Sequence, residues 1–292
     1  MNFNPEVESK KIERFINELI EKHGYRGAVI GVSGGIDSAV VLALLVNAVG
    51  KAKIKAFILP ERDSSRQSIE DAKLVCQHFG VEYRVESITK ALSGLGTYKL
   101  FPPALFIPEK LKIVYAKNRW NRYDDPYAMD LQNSGDELFL KGIAYYRSKH
   151  RIRMCKLYFE AEKLNYCVVG TTNKTELKLG LYVKWGDDSV DIEPIKHLYK
   201  TQVFELARYL NVPEKIIKKP PTPDLVPGLT DEEAFGMTYQ EIDSILMGLE
   251  KEHDLLEKNI NDEKYKRIMR LIELAKYREI KSLGIEDAKD ER

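Results

Sequence analysis

The sequence predicts an α/β fold, with a doubly wound, mostly parallel sheet and helices on both faces. Three observations support this prediction. Short apolar runs alternate with helical segments along much of the chain, which favours parallel strands joined by right-handed crossovers. Residues 31–38 form a glycine-rich turn between an apolar run and a helical segment. The length of 292 residues fits a single domain of this kind.

The elements before residue 90 follow this alternation. Asn4 and Pro5 predict the start of a first helix, because Asn caps helices well and Pro suits the first helical position. Gly24 is expected to end that helix. A strand then leads into the glycine turn, and a helix follows it at residues 39–46. The next predicted elements are a strand, a helix and a strand at residues 54–59, 68–79 and 83–88.

Residues 93–146 interrupt the pattern. Prolines cluster there, and aromatic and basic residues interleave, so we expect an irregular insertion. Regular elements return afterwards, with helices at residues 151–164, 175–181 and 201–210 and strands at 166–169 and 191–195. The C-terminal part is expected to be helical from about residue 230, because two capping-box patterns begin there, at Thr230 with Glu233 and Thr238 with Glu241.

The composition is typical of a globular enzyme. Hydrophobic residues make up 43% and charged residues 31%, and the net charge of +1 gives no reason to expect a polyanionic partner. Cys76, Cys155 and Cys167 lack metal-binding spacing, so we interpret them as buried, reduced thiols. No membrane-spanning run or signal-peptide pattern is recognisable, so a cytoplasmic protein is expected.

The turn at residues 31–38 has the chemistry of a phosphate site. Its glycines allow backbone conformations that a side chain would forbid, and its amides and hydroxyls lie at a helix N-terminus, where an anion is favoured. No Lys follows the glycines, which excludes a Walker A loop. The candidate ATP-binding residues of this turn are Gly31, Val32, Ser33, Gly34, Gly35, Ile36, Asp37 and Ser38.

This turn resembles the PP-loop of the N-type ATP pyrophosphatases, which have an adenine nucleotide α-hydrolase-like fold. Further motifs at residues 151–154, 170–176, 184–187, 191–195, 198–201, 205–208 and 220–225 resemble ammonia-dependent NAD synthetases in order and spacing. The resemblance implies ATP-dependent amidation of nicotinate adenine dinucleotide (deamido-NAD) with ammonia. An acyl-adenylate would form, and pyrophosphate and AMP would be released.

The resemblance also implies roles for individual residues. Asp37 and Glu176 resemble the family's magnesium ligands, which suits an ion that takes one or two carboxylates and completes its shell with phosphate and water. Asp37 and Lys200 are the candidate catalytic residues, and Lys200 would meet the ATP phosphates. Further ATP contacts are implied for Thr171 and Thr222, and deamido-NAD contacts for Arg151, Lys184 and Asp191.

The chain departs from the family pattern near the acceptor site. Asp188 and Ser189 replace two glycines, and the added negative charge predicts weaker dinucleotide binding. A C-terminal His is also missing, and Lys276 or Arg278 is the candidate substitute for the lost cation. Two alternatives therefore stay open: a PP-loop enzyme that adenylates another carboxylate or carbonyl, and a nucleotide-binding protein without turnover.

The expected partners are small molecules and a second copy of the chain. ATP, deamido-NAD and ammonia are the implied substrates, with Mg²⁺ as the implied metal. The family places its dinucleotide across a two-fold interface, so a homodimer is expected, with the helix at residues 151–164 in the interface. Four interpretations of the insertion at residues 93–146 stay open: a substrate lid, a dimer surface, a nucleic-acid patch and a packed segment without function.

Overall fold

The computed structural model describes residues 3–101, 109–222, 228–251, 262–280 and 282–285. Its centre is a four-stranded, wholly parallel sheet with the order β3-β2-β1-β4. Ala28 on β1 pairs with Ile54 on one side and with Cys167 on the other. The strands are β1 (Ala28–Gly31), β2 (Ile54–Ile58), β3 (Tyr83–Val85) and β4 (Cys167–Val169).

Helices connect and cover these strands. Those before β4 are α1 (Pro5–Lys22), α2 (Ile36–Val49), α3 (Arg66–His78), α4 (Thr89–Leu95), α5 (Glu109–Trp120), α6 (Pro126–Gln132) and α7 (Glu137–Leu164). Those after β4 are α8 (Lys174–Leu179), α9 (Lys200–Tyr209), α10 (Glu214–Ile217), α11 (Asp231–Phe235), α12 (Tyr239–Lys251) and α13 (Glu263–Glu279). Short 3₁₀ turns occur at Lys51–Lys53 and Thr97–Lys99.

Successive residues of β1, β2 and β4 enter two different apolar cores, because side chains alternate across a strand. Val29, Phe57 and Val168 point toward α7 and pack with Leu157 and Ala161. Their neighbours on the strands pack on the other face against α1, α2, α3 and α9. Helices therefore cover both faces of a parallel sheet, and the predicted fold class is confirmed.

A third apolar cluster joins the C-terminal helices to the body of the molecule. Leu131 of α6, Leu179 of α8 and Phe235 of α11 pack there with residues of α12 and α13. Both predicted capping boxes are present, since Thr230 N–H donates to Glu233 at 2.9 Å and Thr238 N–H donates to Glu241 at 3.0 Å. The expectation of a helical C-terminal part holds for its described residues.

Two predicted elements were wrong. Residues 191–195 do not form a strand, since their pairing with β4 is one isolated bridge between Val169 and Ile192. Pro194, two residues after Ile192, has no N–H to extend a ladder. Residues 93–146 are largely helical where described, with α4 ending, α5 and α6 complete and α7 beginning within them. The prolines at 102, 103 and 108 lie outside the described residues.

One cysteine prediction was also wrong. Cys76 and Cys167 are buried, but Cys155 is exposed. It lies on α7 between Met154 and Leu157, which face the sheet, so helical periodicity turns it outward. No helix of the described part of the chain is both long and apolar enough to cross a membrane.

Candidate functional site

The glycine turn lies at the carboxyl end of β1 and runs directly into α2. Gly34 has a φ of +79°, and a Cβ there would lie 2.7 Å from the carbonyl oxygen of Ser68, so only glycine fits. The Gly35 N–H donates to Ser33 Oγ at 3.2 Å, and the Ser33 and Ser38 hydroxyls lie 3.2 Å apart. The turn is therefore a compact loop of amides and hydroxyls at a helix start.

Three helix starts bring charged side chains together beside this loop. Lys200, the first residue of α9, places its Nζ 2.6 Å from Asp37 Oδ2 and 2.8 Å from Glu176 Oε1. Asp37 belongs to the first turn of α2, and Glu176 to the first turn of α8. The structure thus unites the two predicted metal ligands and the predicted catalytic lysine. We call Asp37, Glu176 and Lys200 the carboxylate–lysine cluster.

The local hydrogen bonds hold this cluster in place. The Asn173 side chain caps α8 by accepting from the Glu176 N–H at 3.0 Å. The same side chain donates from Nδ2 to Asp37 Oδ1 at 2.9 Å. The Lys200 N–H donates to Thr175 Oγ1 at 2.9 Å. Each charged group is therefore positioned through a neighbouring helix as well as its own.

The electrostatics of the cluster favour a further cation. Burial and repulsion from Asp37 raise the pKa of Glu176 to about 8. Burial opposes the charged form of Lys200, which is 1% exposed, yet Asp37 and Glu176 raise its pKa above the ordinary value. Asp231 also interacts electrostatically with this ammonium, so three carboxylates share one cation. Burial raises the pKa of Asp231 as well.

The donor set fits an ion that also takes phosphate ligands. Among the described residues no group of three or more His, Cys, Asp or Glu side chains converges as a metal site. Two carboxylates, those of Asp37 and Glu176, do converge, and Mg²⁺ bound with a nucleotide needs only one or two. Asp231 Oδ1 is buried and has no hydrogen-bond partner within the described chain, and this carboxylate interacts electrostatically with Lys200.

The predicted threonines occupy flanking loops. Thr171 lies between β4 and α8, next to Thr172, whose N–H donates to Glu193 Oε2 at 3.2 Å. Thr222 is exposed and ends the described segment 109–222. The hydrogen bonds described for this part of the chain do not join either threonine to the carboxylate–lysine cluster, so their contacts with ATP stay predictions.

A second group of cations lines a separate cavity of about 210 Å³, which we call the cationic pocket. Arg151 donates from Nη2 to the carbonyl oxygen of Lys184 at 3.1 Å, so two predicted acceptor residues do meet there. The Lys184 Nζ lies 4.7 Å from the centre of the Tyr277 ring. The lining residues are Leu131, Asn133, Arg147, Arg151, Lys184, Trp185, Tyr277 and Arg278.

Asp191 is the predicted acceptor residue that does not line this pocket. Its Oδ2 accepts from the Val168 N–H at 2.7 Å, and its Oδ1 accepts from the Tyr158 hydroxyl at 3.1 Å. The carboxylate thereby caps the open side of β4. A contact with a dinucleotide stays a prediction for this residue.

The two residues that replace glycines of the family pattern have structural roles. Asp188 Oδ1 accepts from the Gly186 N–H at 3.1 Å, and the Ser189 N–H donates to the carbonyl oxygen of Gly186 at 2.9 Å. The neighbouring Asp187 Oδ1 accepts from the Val183 N–H at 2.8 Å. Burial and then repulsion from Asp187 raise the pKa of Asp188 above its ordinary value. These carboxylates stabilise the turn that carries Lys184. Weaker dinucleotide binding through Asp188 stays a prediction.

The C-terminal cations are held by other residues. Lys276 forms an ion pair with Glu273 on the surface of α13. Arg278 is 6% exposed, lies 2.5 Å from Asp130 Oδ2 and donates to the carbonyl oxygens of Gly180 and Tyr182. Arg278 lines the cationic pocket, but its charge is already paired with Asp130. Replacement of the missing cation by Lys276 or Arg278 stays a prediction.

Comparison with known proteins identifies the family. The model of the family described as NAD synthase matches residues 8–281. The chain belongs to the NAD synthase family. An NH(3)-dependent NAD(+) synthetase of Thermotoga maritima is 62% identical over 266 residues, covering 90% of this chain and 94% of that relative. The predicted resemblance is thereby confirmed.

Solved structures agree with this membership of the NAD synthase family. The structure of an NMN synthetase from Francisella tularensis has a TM-score of 0.73 and 29% identity, covering 97% of this chain and 99% of that one. An NH3-dependent NAD synthetase from Campylobacter jejuni has a TM-score of 0.71 and 24% identity, covering 97% of this chain and 100% of that one. The second likeness concerns the fold alone.

Sequence reasoning missed several residues of this site. Asp231 Oδ2 accepts from the Tyr239 hydroxyl at 2.6 Å, and the ring of Tyr239 lies 5.2 Å from Lys200 Nζ. Both residues come from the C-terminal helices, where the capping-box patterns indicated helix starts but no contact with α9. Asn173 lay inside a recognised motif, and its place before Glu176 was the signal that could have identified it as a cap.

Proposed function

We propose that this protein is an ammonia-dependent NAD synthetase that amidates nicotinate adenine dinucleotide at the expense of ATP. The observation that carries this proposal is the carboxylate–lysine cluster beside a glycine turn at a helix start, in a member of the NAD synthase family. ATP that is cleaved between its α and β phosphates needs its negative charge neutralised at such a place.

The reaction has two balanced steps. A carboxylate oxygen of the nicotinate attacks the α-phosphorus of ATP, the bond from that phosphorus to the bridging oxygen breaks, and pyrophosphate leaves. The nitrogen of ammonia then attacks the acyl carbon, the carbon–oxygen bond to AMP breaks, and the nitrogen loses a proton. No covalent intermediate with the protein is needed, so the protein acts by positioning and charge neutralisation.

The residues of the glycine turn and the cluster would share the work on ATP. The amides and hydroxyls of residues 31–38 would bind the pyrophosphate end. Asp37 and Glu176 would hold Mg²⁺, which supplies positive charge to the phosphates when bound. Lys200 keeps a buried ammonium between the same two carboxylates, so its charge is already in place when the nucleotide arrives.

The cationic pocket would receive part of the acceptor. Arg147, Arg151 and Lys184 give it positive charge, and Trp185 and Tyr277 are exposed aromatic rings at its border. Guanidinium groups bind phosphate oxygens in pairs, and exposed rings stack on bases. A volume of about 210 Å³ suits a phosphate-bearing part of a dinucleotide rather than the whole molecule.

The test is an assay with purified protein, ATP, Mg²⁺ and saturating ammonium chloride. Pyrophosphate release and amide formation, the latter by mass spectrometry, are measured with nicotinate adenine dinucleotide and with nicotinate mononucleotide in parallel. We expect NAD from the dinucleotide as the preferred reaction. Pyrophosphate release with the mononucleotide or another carboxylate, but no NAD, would favour the alternative of a different acceptor.

A matched variant tests the assignment of the cluster. Asp37→Asn keeps the shape of the side chain and removes the charge, so pyrophosphate release should fall by at least about 100-fold while the fold persists. Circular dichroism checks the fold. Near-normal turnover of a folded Asp37→Asn variant would contradict the metal assignment.

A further inference from the structure

The glycine turn rests on α3 through a buried carboxylate. Asp71 of α3 is 1% exposed, and a Cβ added to Gly34 would lie 2.9 Å from the Cβ of Asp71. Burial would raise the pKa of Asp71, but hydrogen bonds from Lys215, Lys219 and Gln67 lower it, so the group is ionised at neutral pH. A buried charge thus lies directly beneath the loop.

The two lysines that neutralise Asp71 are not equivalent. Lys215 Nζ lies 2.7 Å from Oδ1, and its side chain is 56% exposed. Lys219 Nζ lies 2.9 Å from Oδ2, and its side chain is 27% exposed. The Lys219 ammonium also donates to the carbonyl oxygen of Gly34 at 3.4 Å, so it connects the buried carboxylate with the backbone of the turn.

This contact determines how one amide of the turn is aimed. The C=O and the following N–H of a trans peptide point in opposite directions. Holding the Gly34 carbonyl toward Lys219 therefore directs the Gly35 N–H the other way, where it donates to Ser33 Oγ at 3.2 Å. With glycine at both positions, this peptide could adopt other orientations. A contact from outside the turn is therefore needed to fix its orientation.

The same lysine links the turn to the carboxylate–lysine cluster. Lys219 is followed by Pro220 and Pro221, which restrict the backbone conformation. The carbonyl oxygen of Pro221 accepts from the Asp231 N–H at 3.0 Å, and Asp231 interacts electrostatically with Lys200. A short, stiff segment thus runs from the glycine turn to the start of α11.

We propose that Lys219 is a positioning residue for nucleotide binding, which together with buried Asp71 fixes the Gly34–Gly35 peptide and so the shape of the phosphate-binding turn, in which the Gly35 N–H donates to Ser33 Oγ. This inference rests on the proposed function and adds a residue that acts through the glycine turn. Its chemistry is a charge-assisted hydrogen bond from an ammonium to a peptide carbonyl, which is stronger than a neutral one.

The experiment compares Lys219→Met with Lys215→Met, because each variant removes one cation from Asp71 and only Lys219 contacts the turn in this structure. The Kd of ATP is measured with Mg²⁺ and without acceptor, by isothermal titration calorimetry. We expect Lys219→Met to raise this Kd about tenfold and Lys215→Met to change it less than about twofold. Equal Kd values for both variants would overturn the proposal.

Two further variants separate positioning from general stability. Lys219→Arg keeps the charge and should return the Kd to within about threefold of the wild-type value. Asp71→Asn removes the buried charge but keeps both lysines, and it should also weaken ATP binding. Thermal unfolding of each variant shows whether the fold is retained. A folded Lys219→Arg variant that binds as weakly as Lys219→Met would overturn the role of the ammonium. Wild-type protein that binds no ATP at all would instead refute the proposed function.

Discussion

Lys200 shows how a single buried residue can hold two carboxylates together. Its ammonium is buried and lies within hydrogen-bond distance of two carboxylates, whose repulsion it reduces. Taking away one member of a buried ion pair leaves an uncompensated charge, which costs far more than losing an exposed pair. The folded protein thus keeps the two carboxylates close together before any ligand binds.

The buried carboxylate of Glu193 predicts how the stability of the folded protein depends on pH. Burial raises its pKa to about 8, and a Cβ on Gly170 would lie 2.6 Å from its carboxylate. In the unfolded chain the group titrates near 4.5. Between these two values the folded state binds one more proton, so the free energy of unfolding decreases as the pH rises from 4.5 to 8 and levels off above that.

Glu193→Gln keeps an oxygen for the Thr172 N–H and removes this titration. We expect its gain in Tm over the wild type to be larger at pH 9 than at pH 5, by roughly 5–10 °C. Differential scanning fluorimetry at the two pH values measures it, with Glu21→Gln at an exposed position as the control. The same gain at both pH values would contradict the raised pKa.

At the scale of elements, α13 is fixed to the acceptor side by Arg278. This buried guanidinium pairs with Asp130 of α6 and donates to the carbonyl oxygens of Gly180 and Tyr182. Arg270 on the same helix is a natural contrast, because it is 59% exposed and lies 3.4 Å from Asp125. Substituting each arginine in turn therefore compares a buried ion pair with an exposed ion pair on the same helix.

Arg278→Met should lower the free energy of unfolding by about 3–5 kcal/mol, since it leaves Asp130 buried with less compensation. Arg270→Met should cost less than about 1 kcal/mol. Urea unfolding followed by circular dichroism measures both. Similar losses for the two variants would show that Arg278 does not anchor α13.

The sequence predicted those elements whose cause is local. The turn at residues 31–38 was recognisable because Gly34 needs a left-handed conformation and leaves no room for a Cβ. The helix at residues 151–164 had the right end but the wrong start, since α7 begins at Glu137, where the Asp136 side chain caps it. That cap lay inside a segment whose prolines and aromatic residues suggested irregularity.

The errors concern contacts between distant parts of the chain. Asp191 was read as part of a strand, but its carboxylate takes the Val168 N–H that a further strand would have used. Asp231 reaches the cluster because α11 packs on the C-terminal helices, and no spacing in the sequence encodes that distance. The resemblance predicted Arg151 and Lys184 at one site. They meet because the turn at residues 183–188 brings the carbonyl oxygen of Lys184 within hydrogen-bond distance of Arg151.

For the whole molecule, α7 is the element most suited to an interface between two copies. Its 28 residues extend over about 42 Å, and one face packs on the sheet while Arg151, Cys155 and Phe159 face outward. Phe159 is 56% exposed, and the ammonium groups of Lys156 and Lys163 lie about 5 Å from its ring. An aromatic ring at this position suits an interface.

We therefore predict a homodimer in which α7 packs against its copy, measured by light scattering at micromolar concentration. Phe159→Glu should weaken the dimer at least about tenfold, because a charge would be buried against its copy. Leu95→Glu, at a residue that is 63% exposed on α4, is the control and should leave the dimer intact. A monomeric wild-type protein would contradict both the interface and a shared role for Arg151.

The two tryptophans of the chain make the cationic pocket visible by spectroscopy. Trp185 is 52% exposed at the border of that pocket, whereas Trp120 is partly buried against the C-terminal helices. Indole emission depends on the polarity around the ring, so Trp185 is an optical reporter of what enters the pocket, with Trp120 as a nearly constant background. With the acceptor in this pocket, as proposed, its binding should change the Trp185 emission, which can be followed in real time without a label and separately from ATP binding.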